Sequence, residues 1–168
     1  GFTVLHDFDY FTTGANPSGR LVQGPDGALY GTATVGGSGD SGTVFKLNKD
    51  GSGYAVLHSF LVTEDDGATP MAGLLTGSDR ALYGTTDGGG SGGGHNGTVF
   101  KLNPDGSGYQ TLHSFPDQRG DGRMPRSSLL EGRDRALYGT TQSGGSKDAG
   151  TVFKLNRDGS GYQILHAF

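Results

Sequence analysis

The chain has 168 residues, no cysteine and a formal net charge of −4. That balance, with Arg119, Arg123, Arg126, Arg133 and Arg135 interleaved among Asp117, Asp121, Glu131 and Asp134, excludes the basic patch that nucleic acid or an anionic membrane requires. The lack of cysteine excludes disulfides, iron–sulfur clusters and thiolate zinc sites, and no apolar run reaches the ~18 residues that span a bilayer.

Glycine supplies 34 residues and apolar types only 32%. Without a collagen-like triplet period, this reads as many tight turns between short strands. No signal peptide is visible, and the chain opens at Gly1 and not at a methionine, which fits a processed or excised piece of something longer.

In chain order, Phe2 to Phe8 reads as a strand, and a link from Asp9 to Ser18 follows. A first strand, Arg20 to Gln23, turns at Gly24-Pro-Asp-Gly27 into a second, Ala28 to Thr32. The loop Thr34 to Ser41 leads to a third strand, Thr43 to Leu47. The turn Asn48 to Ser52 leads to a fourth, Tyr54 to Phe60. The series then returns twice. Gly42-Thr-Val-Phe-Lys-Leu-Asn48 recurs at Gly97 and at Gly150, 55 and 53 residues further on. Leu57-His-Ser-Phe60 recurs as Leu112-His-Ser-Phe115 and Leu165-His-Ala-Phe168. A period of this size marks units that must stack on their neighbours to bury apolar surface.

The segments are short, rich in β-branched and aromatic residues, and bounded by Asp-Gly and related hairpin turns of constant length. No helical period runs over ten residues. Val44, Phe45 and Leu47 are all apolar, which suits a sheet covered on both faces. The prediction is therefore all-β, with twelve or thirteen short strands. They form three four-stranded propeller blades over 19–60, 72–115 and 127–168, with the extra strand 1–8. Hairpins emerge at one end of each blade and the two variable links at the other, where binding usually resides. Three blades leave two open faces, so closure needs further blades. A β-trefoil-like closure is the alternative.

Repetition governs how candidate residues are read. His6, His58, His113 and His166 share one position, which points to a structural role such as bonding a backbone carbonyl. His95 is unrepeated and sits in a glycine-rich loop. Lys46, Lys101 and Lys154 read as stems on apolar surface with heads in water. Glu64, Asp65 and Asp66, with Asp121 at the Asp66 position, could offer oxygens to Ca²⁺, but Thr13 breaks that series in the first copy. The glycine run Asp87 to Gly94 does not join a strand to a helix, so it is no phosphate cradle. Asn96-Gly-Thr98 matches a glycosylation sequon but belongs to the repeat. No nucleophile-elbow pattern appears.

The motifs Gly-x-x-Pro, Leu-Leu-x-Gly, Ala-Leu-Tyr-Gly-Thr-Thr, Gly-Thr-Val-Phe-Lys-Leu and Leu-His-Ser-Phe resemble the GloVer tandem-repeat family, over nearly the whole chain. The resemblance implies a bacterial exported or surface-anchored repeat protein. It brings no catalytic residues to transfer. The expected function is a non-catalytic structural or interaction module. It is read as a partial propeller completed by other copies or another β-rich protein, or as part of a longer extracellular repeat protein. The alternative is a glycan- or ligand-binding module using Tyr10, Phe11, Glu64, Asp65, Asp66, Arg119 and Asp121 of the variable face. No enzymatic activity, cofactor, metal site, nucleic-acid partner or membrane span is expected.

Overall fold

The computed structural model describes residues 1–61, 66–91 and 96–168. The first repeat contributes β1 (Ala15–Pro17), β2 (Val22–Gln23), β3 (Leu29–Val35), β4 (Thr43–Leu47) and β5 (Ala55–Ser59). The second contributes β6 (Gly67–Ala68), β7 (Leu75–Thr76), β8 (Leu82–Thr86), β9 (Gly88–Gly89), β10 (Thr98–Leu102) and β11 (Gln110–Ser114). The third contributes β12 (Gly122–Arg123), β13 (Leu130–Glu131), β14 (Leu137–Thr141), β15 (Ser143–Gly144), β16 (Thr151–Leu155) and β17 (Gln163–Ala167). No helix is present among the described residues.

Each repeat folds its own antiparallel meander: β2-β3-β4-β5, β7-β8-β10-β11 and β13-β14-β16-β17. The local cause is turn chemistry. In the first hairpin the Asp26 carboxylate accepts from the Ala28 amide (3.1 Å) and the Tyr30 hydroxyl (2.8 Å). Lys46 Nζ joins the same carboxylate at 3.2 Å and lies 5.8 Å from the centre of the Tyr30 ring. Asp79 with Tyr83 and Lys101, and Asp134 with Tyr138 and Lys154, repeat the arrangement. The recurring lysines are thus tied to the turn by charge as well as by their stems. In the second hairpin the Asp50 carboxylate accepts from the Ser52 amide and hydroxyl, an Asx turn that recurs at Asp105 and Asp158.

The sheets stack through two apolar cores. Tyr30, Val44, Phe60 and Ala28 of the first meet Leu74, Leu82, Phe100 and Leu102 of the second. Tyr83, Val99, Phe115, Leu112 and Ala81 of the second meet Leu129, Leu137, Phe153 and Leu155 of the third. Fully burying one such aliphatic or aromatic side chain contributes roughly 1.5–3 kcal/mol, so inter-sheet contact is the main source of stability. Part of the matching face of the third sheet is uncovered: Leu130 is 65% exposed, Leu165 46% and Phe168 54%.

Two expectations are corrected. Residues 1–9 form no strand. They lie against the first sheet, with His6 stacked on Tyr54 (3.7 Å between ring centres) and Phe8 edge-on to Phe45 (5.1 Å). This is the place that β5 takes beside the second sheet, but a strand needs a paired neighbour and the segment has none among the described residues. The trefoil alternative also fails, because the three sheets are separate meanders and none closes into a barrel.

Candidate functional site

The variable links meet at one end of the sheets and pair with each other. The link entering the second repeat (β6) pairs with the β8–β10 loop (β9), and β12 pairs with β15 in the same way. In the first repeat β1 pairs directly with the end of β3. Below these pairs lies a clasp that joins each repeat to the next.

Its complete form is at Asp66. The carboxylate accepts from the Leu61 amide (2.9 Å), the Gly67 amide (2.7 Å) and the Tyr109 hydroxyl (2.5 Å), and it faces His58 Nε2 at 3.2 Å. His58 in turn stacks on Tyr109 at 3.7 Å. Burial opposes ionisation of Asp66, but the hydrogen bonds from His58, Tyr109 and Leu61 outweigh it, and its pKa lies below the ordinary carboxylate value. Burial and the Asp66 charge push the Tyr109 phenol up. At 7% exposure Asp66 serves the clasp and not an open binding surface.

The first copy replaces the carboxylate with Thr13. Its hydroxyl accepts from the Asp9 amide (2.6 Å), and its carbonyl accepts from the Tyr54 hydroxyl (2.9 Å). The third copy keeps the aspartate but loosens it. Asp121 Oδ1 accepts from the Gly122 amide (2.6 Å) and the Tyr162 hydroxyl (2.5 Å). Pro116 stands where Leu61 stands and has no N–H to donate. His113 stacks on Tyr162 at 3.8 Å, but its Nε2 is buried without a partner, and burial lowers its pKa.

Asp121 also lines a cleft of about 550 Å³ formed by the 117–123 link and the 144–148 loop. The β12–β15 pairing brings the two together, and the Gly145 amide donates to the Asp121 carbonyl at 2.9 Å. Around Asp121 the wall carries Asp117, Arg119, Arg123, Lys147 and Asp148. Arg123 pairs with Asp148, which also accepts from the Gly144 amide at 2.8 Å. The hydrogen bond from Arg123, then that from Gly144, holds the Asp148 carboxyl below its usual range. The cleft thus offers donors and acceptors of both signs in a small, open space. Such a lining fits a polyhydroxylated or anionic small molecule.

Of the residues singled out from sequence, Arg119 and Asp121 line this cleft. Tyr10 and Phe11 lie in the first link, in edge contact at 5.4 Å, away from it. Glu64, Asp65 and His95 lie outside the described residues. Asp117, Arg123, Lys147 and Asp148 were not singled out. Lys147-Asp148 sits in a glycine- and serine-rich link that reads as a turn, although its lysine departs from Gly39 at the matching place. Among the described residues no group of three or more His, Cys, Asp or Glu side chains is arranged to hold a metal ion.

No curated protein matches the chain in sequence. Its fold is similar to that of a gluconolactonase from Xanthomonas campestris, with a TM-score of 0.61, 18% identity, and coverage of 94% of this chain and 49% of that one. It is also similar to the PQQ-bound form of an aldose sugar dehydrogenase from Streptomyces coelicolor, with a TM-score of 0.52, 19% identity, and coverage of 89% and 47%. The chain therefore spans about half the length of either. These likenesses support an all-β, propeller-like fold. They overturn the expectation of a non-catalytic module, structural or glycan-binding, since the proteins that share the architecture are enzymes of sugar chemistry. The family model of the Gloeobacter/Verrucomicrobia repeat matches residues 1–168, and the chain belongs to that family.

Proposed function

We propose that the chain is a catalytic module acting on a sugar-derived lactone, with the cleft of the third repeat as the part of the site it contributes. The three sheets are then blades of a propeller, and coverage of 49% of the gluconolactonase corresponds to half a ring. The observation that carries this reading is the cleft, which Arg119 and Lys147 line together with Asp117 and Asp121. Opening a lactone needs both kinds of group. Water adds to the carbonyl carbon, and a carboxylate accepts the proton that the water gives up. Charge develops on the carbonyl oxygen, where a guanidinium or ammonium group stabilises it. The ring C–O bond then breaks, the ring oxygen takes a proton and becomes a hydroxyl, and an aldonate with one released proton remains.

The test is proton release from D-glucono-1,5-lactone in a pH-stat, against the spontaneous rate. The chain should exceed that rate, and Arg119→Ala with Lys147→Ala should lower the excess by about tenfold or more, as loss of an oxyanion donor does elsewhere. A wild-type rate equal to that of buffer ends this assignment.

A further inference from the structure

Three copies of one clasp allow each carboxylate to be judged against its own repeat. Asp66 takes Gly67 and Tyr109 on Oδ1 and Leu61 on Oδ2, with His58 Nε2 reaching both oxygens, at 3.2 Å from Oδ2 and 3.3 Å from Oδ1. Asp121 keeps the Oδ1 pair, Gly122 and Tyr162, and loses both Oδ2 partners. One loss is chemical, since Pro116 has no amide hydrogen. The other is geometric, since His113 Nε2 bonds nothing. The same residue is the one clasp carboxylate that lines the 550 Å³ cleft. A carboxylate held by one oxygen and open at the other is oriented without being saturated, which is what positions an acceptor for a ligand.

We propose that Asp121 is a substrate-contacting residue of this chain, its Oδ2 accepting a hydrogen bond from a hydroxyl of an aldonic acid or its lactone. This rests on the sugar-lactone reading and names the ligand class of that site. Arg119 and Lys147, which line the same cleft, complement the carboxylate or carbonyl end of such a ligand, and Asp121 takes its polyol end. Pro116 is the positioning residue. It withholds the donor that would otherwise close Oδ2, as the Leu61 amide does at Asp66.

The experiment is calorimetric titration of the chain with D-gluconate, a ligand that does not turn over, together with thermal melts. Asp121→Asn retains an Oδ1 acceptor for Tyr162 and Gly122, and Pro116→Leu installs the residue found at the matching place of the second repeat. Both should melt near the wild type and bind gluconate about tenfold or more weakly, the usual cost of a lost hydrogen bond to a charged group. Affinity within about twofold of wild type in Asp121→Asn overturns the contact. A loss in Asp121→Asn with none in Pro116→Leu overturns the role of the released oxygen. A folded wild-type chain that takes up no gluconate overturns both. If gluconate binds through Asp121 while no lactone is hydrolysed, the reaction is wrong and the site stands. If lactone is hydrolysed equally well by Asp121→Asn, the reaction stands and the site is wrong.

Discussion

Asp66, Thr13 and Asp121 occupy one repeat position and do three different things. Asp66 is a buried anion whose charge is spread over four donors, so its removal orphans two amides, a phenol and an imidazole. Asp66→Ala should cost on the order of 3 kcal/mol in chemical unfolding at pH 7, whereas Thr13→Ala, which removes a neutral hydroxyl that accepts from the Asp9 amide and donates to the Asp9 carbonyl, should cost about 1. The same residues set the response to acid. Asp66 is depressed below its ordinary value of 3.8, so its contribution is present above that value and is lost as pH falls through the folded pKa. His113 is depressed from 6.5 by burial, so the unfolded chain takes up that proton first, and stability declines as pH falls below about 6.5. Urea midpoints measured from pH 8 to pH 3 should therefore show a shallow loss beginning near pH 6.5 and a steeper one below pH 4. His113→Gln should remove the first and leave the second.

At the level of the element, the strands are held by a pairing that recurs in every repeat: Phe45 opposite Gly31, Phe100 opposite Gly84 and Phe153 opposite Gly139. The ring lies over the glycine of the neighbouring strand. A Cβ on Gly84 would sit 2.8 Å from Phe100 Cε1 and 2.9 Å from Leu74 Cδ2. Gly84→Ala should thus destabilise by about 1–3 kcal/mol through overpacking, although alanine is the better strand residue. A neutral or stabilising result in urea unfolding would show that the ring can move aside. The strands themselves were legible because Asp-Gly turns and the repeated Thr-Val-Phe-Lys-Leu run fix their ends independently of packing. The paired glycines of β6 with β9 and the pairing of β12 with β15 were not, since Gly-rich links carry no apolar alternation. Phe2–Phe8 misled for the opposite reason. It has the composition of β5 and β17, but a strand is defined by a partner that a linear pattern does not reveal. The site was half legible: Arg119 and Asp121 stood out as variable-loop charges. What distinguishes Asp121 from Asp66 is a proline five residues earlier, and its meaning depends on a hydrogen bond seen only in the folded second repeat.

Across the whole molecule, stability comes from sheets stacked in series, so a residue's worth depends on whether its face has a neighbour. Phe115 and Phe168 test this directly, because both follow Leu-His-x at the end of the fourth main strand of a repeat. Phe115 is 1% exposed, in edge contact with Phe153 at 5.3 Å and with Tyr162 at 6.0 Å. Phe168 has no following sheet in this chain, and its ring contact is edge-on to His166, its neighbour in the same sheet, at 4.7 Å. Phe115→Ala removes packed contacts on both sides and should cost about 3–5 kcal/mol. Phe168→Ala removes a ring that still faces water and should cost less than about 1 kcal/mol at low protein concentration. The pair of measurements isolates the next sheet's contribution, because composition, strand type and local turn are nearly the same at the two sites. If Phe168→Ala costs as much as Phe115→Ala, the third sheet's open face is covered in solution. Repeating the unfolding at tenfold higher protein concentration then identifies the cover. A cost that grows with concentration points to a second copy, and one that does not points to the chain's own residues.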